Sequence, residues 1–158
     1  MKYKRLSVKE LQALEPEFIN YLSTSQITAQ DWVKMKEHEF LKAEELVDIF
    51  SDMVYDKVLK KINLLEYRDT KTLNIYNCLE EKIELIGLRA KELSTIDFTA
   101  ADAFNNWTES LIDTIDVVKS EKKYIRDREL EIFELLQSGC FITDDRLFNA
   151  LKSITESK

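Results

Sequence analysis

The hydrophobic period of this chain changes near residue 63 and changes back near residue 90. Before and after, apolar residues recur at three- and four-residue spacing, which places them on one face of a helix. Between, they alternate. Leu65 and Tyr67 share one side of an extended run, and Leu73 and Ile75 oppose Tyr76 and Cys78. Ile83 and Leu85 oppose Ile86 and Leu88. Three short alternating runs with short connections predict an antiparallel meander. The fold class expected is therefore α+β: a mainly helical single domain, 1–158, with a small antiparallel sheet over about residues 63–89. Its flat apolar surface would bury the helical stripes before and after it. The alternative is an all-α bundle. Asp69-Thr70 is an acceptable turn. Glu80-Glu81 lacks the Gly or Asn that a two-residue hairpin loop requires, which points to a wider connection. Gly87, inside the third run, predicts a bulge or a close backbone approach.

The helical parts carry their own punctuation. Ser7 followed by Glu10 has the capping-box form, and Leu11, Leu14, Phe18 and Tyr21 follow as a stripe. Pro16 lies inside that stripe, so it reads as a kinked helix over 8–24 or as two helices meeting near 15. Thr28 and Asp31 form a second cap ahead of Trp32 and Met35. From Phe40 a stripe runs through Phe50 to Ile62, a helix of about 23 residues at 1.5 Å rise each. Thr99 and Asp102 cap a further stripe, Phe104, Trp107, Leu111, Ile115 and Val118. The face opposite holds Asp102, Asn106, Glu109, Asp113 and Asp116. Trp107, mid-stripe, is expected in the core. Residues 120–139 read as another helix closed by Gly139, and Thr143 opens a last one.

Composition narrows the chemistry. Thirty acidic residues against 23 basic give a net charge of −7, and no segment bounded at residues 60 and 98 is basic. Nucleic acid is a disfavoured partner on that count. Lys119, Lys122, Lys123, Arg126 and Arg128 form a local basic run, interrupted by acids and read as a solvated helix face. Tyr67, Tyr76 and Arg68 are the side chains that would stack on bases. Cys78 and Cys140 are far apart in sequence and form no CxxC, so they predict free thiols and a reducing compartment. The start of the chain has no apolar signal-peptide core. No apolar run is long enough to span a membrane.

His38 is the single histidine. In "HEFLK" Lys42 stands where a zincin carries its second histidine, and an ammonium there would repel the metal. A di-iron bundle needs Glu-x-x-His twice, which one histidine cannot supply. With Gly87 and Gly139 the only glycines, no phosphate-binding glycine loop can be written. No catalytic or cofactor-binding residue is assigned, and no cofactor. One carboxylate row remains: Glu44, Asp48 and Asp52 at successive four-residue steps, able in principle to ligate a hard cation such as Mg²⁺. The wet side of an amphipathic helix gives the same row.

Five segments carry a resemblance: "MKYKRL" at the start, "EFINYL" (17–22), "ITAQDW" (27–32), "FSDMVYDKVL" (50–59) and "KIELIGL" (82–88). They resemble an uncharacterised family of short bacterial proteins of the Bacteroidetes type, a domain of unknown function, most clearly over residues 1–90. The resemblance implies a bacterial, cytoplasmic protein and supplies no active-site residues. Together these readings favour a non-enzymatic protein-interaction or regulatory module, whose partner is another protein or a second copy. The alternative is a carboxylate- and Mg²⁺-dependent hydrolase using Glu44, Asp48 and Asp52. Residues 72–78 or 83–88 are expected as the docking edge if strand order is not sequential.

Overall fold

Two capping boxes organise the first sixty residues. Ser7 Oγ accepts from Glu10 N–H while the Glu10 carboxylate accepts from Ser7 N–H, and Thr28 and Asp31 repeat the arrangement. They start α1 (Val8–Ala13) and α3 (Ala29–His38). Between them α2 (Glu15–Thr24) carries Pro16 in its first turn, where a missing N–H costs nothing. The chain therefore makes two helices meeting at Leu14 rather than one kinked helix. Glu39, at φ −131° and ψ 49°, separates α3 from α4 (Phe40–Leu59), which ends three residues short of Ile62.

The computed structural model describes residues 1–105 and 107–156; Asn106, Ser157 and Lys158 lie outside the described residues. Contacts group into two compact units, Met1–Lys60 and Lys61–Lys158. The first is helical. Phe18 meets Trp32 and Phe50 edge-on at centroid distances of 5.3 and 5.0 Å, and Leu22, Ala43 and Phe50 are buried. Its N-terminal segment runs along α4: Leu6 is buried, and its N–H donates to the buried Ser51 hydroxyl at 3.1 Å.

The second unit is built on the sheet. The three expected runs form β1 (Leu64–Arg68), β2 (Thr72–Cys78) and β3 (Lys82–Ala90), paired antiparallel in sequence order. Residues 79–81 make the wider connection between β2 and β3. Gly87 pairs in register with Asn74, so there is no bulge. No backbone approaches closely either; a Cβ there would meet side chains, the Arg89 guanidinium at 2.8 Å and Asn74 Oδ1 at 3.0 Å. Two further strands extend the sheet, β4 (Ile115–Lys123) beside β3 and β5 (Phe141–Ile142) beside β1, giving the order β4-β3-β2-β1-β5. The fold is α+β and mainly helical, and the all-α alternative does not hold. The docking edge expected at 72–78 or 83–88 is overturned, since β2 and β3 each pair on both sides.

The largest departure from expectation lies at 99–123. The helix read over 99–118 is absent. Residues 99–105 form loop and turns, α5 (Glu109–Ile112) is one turn, and Ile115–Lys123 is strand. The side chains of that stripe still share a destination. Phe104, Trp107 and Leu111 pack on the cluster of Leu73, Ile75, Leu88, Phe98, Ile115 and Leu151. Trp107 stacks on Phe104 at 5.6 Å and is half-buried, with its indole N–H donating to Ala103 O at 2.9 Å. Val118, on the other side of β4, is partly exposed. The helix read over 120–139 begins only at Arg128: α6 spans Arg128–Gln137, and Gly139 follows it at φ +103°. The last helix, α7 (Asp145–Glu156), lies on the cluster side of the sheet through Leu147, Phe148 and Leu151.

Candidate functional site

An edge strand and a helix end frame a groove in the second unit. β4 is nine residues long and has a strand neighbour on one side only. Its backbone therefore presents N–H and C=O groups outward along that side. Residues 115, 117, 119, 121 and 123 of β4 alternate onto the face that α7 also covers, opposite Ala90, Leu88, Ile86, Glu84 and Lys82 of β3. Beside them, toward the C-terminal end of α7, lies an open cavity of about 390 Å³. Ile86 and Phe148 supply its apolar lining, and Lys119, Glu121, Lys152 and Glu156 its charged lining. A second cavity of about 520 Å³ continues along β4, lined by Ile115, Val117, Lys119 and Thr155 among others. Lys119 lines both, so the two cavities adjoin along the groove face of β4.

The charges along this edge are not equivalent. Asp116 pairs with Lys91 at 3.4 Å, Glu121 with Lys82 at 2.6 Å, and Lys122 with the buried Glu131 at 2.7 Å. Glu84 shares Lys82 at 3.1 Å. Lys119, Lys123 and Lys152 have no ion-pair partner among the described residues. Among the lining carboxylates, Glu156 and Asp113 are in the same condition. Lys119 and Lys123 stand on the groove face of β4, four residues apart. A net-negative chain thus keeps uncompensated positive charge along one exposed strand.

The side chains singled out in the sequence fall elsewhere. Glu44, Asp48 and Asp52 do share one side of α4, and the N-terminal segment engages all three. Arg5 bonds Asp48 through Nε at 2.6 Å and Glu44 through Nη1. Asp52 accepts from the backbone N–H of Lys2 at 2.6 Å and of Tyr3 at 3.0 Å. Among the described residues no group of three or more His, Cys, Asp or Glu is arranged to hold a metal ion. His38 is 76% exposed at the end of α3, 3.8 Å from Glu37. Burial pushes the Cys78 thiol up to about 11 and raises that of Cys140, so neither is a thiolate at neutral pH.

The basic run is not a helix face. Arg126 pairs with Glu134, and Arg128 donates to the carbonyls of Ile62, Cys78 and Leu79 at 2.5, 2.9 and 3.0 Å, tying the start of α6 to the β2–β3 connection. Of the five, only Lys119 and Lys123 have no such partner among the described residues; Lys119 lines both cavities and Lys123 lies on the same face of β4. Tyr67 and Tyr76 lie on the sheet face away from Arg68, which is committed to the buried Glu66 and sits 5.1 Å from the Phe104 ring. The groove itself could have been found in sequence from Ile115, Val117 and Val118, a β-branched run that favours strand over helix.

A family model covers residues 1–156 of this chain, nearly all of it. The chain belongs to DUF6495, a family of unknown function. This agrees with the resemblance to an uncharacterised domain. No curated protein and no solved structure matches the chain. Membership therefore assigns no residue a role, and the groove and edge stand on their geometry. No helix among the described residues is long and apolar enough to cross a membrane.

Proposed function

We propose that this chain is a non-enzymatic protein-interaction module that takes an extended segment of a partner protein onto the open edge of β4. One observation carries this reading: a nine-residue strand with one unpaired edge runs beside cavities that Ile86, Phe148 and Val117 line together with charged side chains. An incoming strand gains affinity from main-chain hydrogen bonds and specificity from alternate side chains entering neighbouring pockets. The cavities lie over the sheet face that α7 covers, onto which residues 117, 119 and 121 of β4 also project. The thin catalytic inventory supports the same reading: one exposed histidine, two thiols held protonated by burial, and a carboxylate row engaged by Arg5 and backbone amides. The two free cysteines and the resemblance to short bacterial proteins support a setting in the bacterial cytoplasm.

The test is a random-peptide phage display on the full chain, followed by amide chemical-shift mapping with the selected peptides. The expected result is a set of peptides whose binding perturbs amides 115–123 and the groove-lining residues. Peptides that map to another surface, or none selected at all, would overturn the reading. So would Mg²⁺-dependent turnover of a phosphate ester that is lost in Asp48→Asn.

A further inference from the structure

The charges on the β4 edge say more than that a strand can dock there. Proteins commonly place charge on exposed edges to prevent indiscriminate pairing, and Asp116, Lys119, Glu121, Lys122 and Lys123 serve that purpose here. Three of these five are already neutralised within the chain, by Lys91, Lys82 and Glu131. The two that are not, Lys119 and Lys123, both point to the groove face. A strand added beyond β4 would set its own alternate residues directly opposite Val117, Lys119, Glu121 and Lys123, with Cβ atoms about 5 Å away. Opposite charges at such positions stabilise the pairing and like charges destabilise it.

Resting on the reading of β4 as a docking edge, we infer that the partner segment is an acidic strand with carboxylates at positions i and i+4. One carboxylate opposes Lys119 and the other opposes Lys123, roughly 13 Å apart along the strand. The residue midway faces Glu121 and is uncharged. The residue two places beyond the Lys119 partner faces Val117 and is apolar, because Val117 and its β3 partner Leu88 are both apolar and Val117 lines the groove. Lys152 reaches the same cavity from α7 and adds a second cation near the first carboxylate. Glu156, at the rim, disfavours further acid on the α7 side and confines the charge to the strand.

The probe is a fluorescein-labelled nonapeptide, Thr-Val-Thr-Glu-Thr-Thr-Thr-Glu-Thr, with its reversed sequence to cover both strand directions. The control replaces both glutamates with lysine. Fluorescence anisotropy with the full chain should show one acidic peptide binding at least ten-fold more tightly than its lysine control. Lys119→Glu with Lys123→Glu should invert that preference, and Lys119→Gln with Lys123→Gln should abolish it. Both pairs change exposed side chains, and circular dichroism verifies that they fold. Equal binding of acidic and basic peptides would overturn the inference while leaving phage-selected peptides on β4 intact. If no peptide of any kind perturbs β4, this inference and the docking-edge reading fail together. A stable dimer by sedimentation, with amides 115–123 protected before any peptide is added, would overturn the inference in favour of a second copy on that edge.

Discussion

A carboxylate removed from water must be partnered or it takes up a proton. Glu131 is 5% exposed, at the start of α6. Burial alone pushes its carboxyl up, but the Lys122 ammonium and the backbone N–H groups of Arg126 and Ile125 outweigh burial and hold it below the usual carboxylate range. Those bonds fix the turn that carries the chain from β4 into α6. A pKa depressed on folding contributes stability above the unfolded value and loses it as pH falls through the folded one. Glu131→Gln should therefore lower stability at pH 7 by about 1–3 kcal/mol, the worth of hydrogen bonds to a charged group. The gap should narrow as the pH falls below the unfolded carboxyl's value of about 4.3 and toward the lower folded one. Urea midpoints of both proteins at pH 7 and pH 3 measure it, and a gap that stays constant would show that charge at Glu131 is not what counts. The sequence hides this residue. Glu131 reads as one more acid on a solvated helix, because its partners come from β4 and the turn before α6.

Elements were legible wherever local chemistry and tertiary context agreed. Ser7 and Thr28 announced α1 and α3 because a cap is a contact within four residues. β1, β2 and β3 were legible because alternation has no helical equivalent. The run from Phe104 to Val118 misled because its 3-4-4-3 spacing is that of a helix, while its residues come from a turn, one helical turn and a strand. Phe104, Trp107, Leu111 and Ile115 converge on a single cluster only through the sheet, and Val118 does not join it. The N-terminal segment on α4 shows a related limit. Arg5, bonded to Glu44 and Asp48, is the conspicuous feature, yet exposed ion pairs are screened by solvent and contribute little. Leu6 is 6% exposed, and truncating a buried leucine costs about 2–5 kcal/mol. Leu6→Ala should therefore destabilise the protein several times more than Arg5→Ala in thermal or urea unfolding. The reverse order would mean that charge, rather than burial, secures this segment.

At the scale of the molecule, the sheet has two edges, and they differ. β5 is two residues long, which itself limits further pairing, whereas β4 offers nine. The interior strands close the docking route that the alternating segment first suggested. Leu73, Ile75 and Leu88 are essentially inaccessible, and every residue from Thr72 to Cys78 has a registered neighbour in β3. Amide hydrogen exchange separates these cases because protection follows pairing and burial. Amides of 73–77 and 83–88 should be the slowest in the second unit, already in the free protein. β4 should split in two: the amides bonded to β3 protected, the alternate ones that face outward exchanging far faster. Binding of an extended partner should slow the outward set and leave the inward set unchanged, since only the outward N–H groups gain acceptors. Uniform protection across 115–123 without any partner would mean that the edge is already covered. The open groove beside Lys119 would then be the margin of an interface between copies, not a site for an incoming strand.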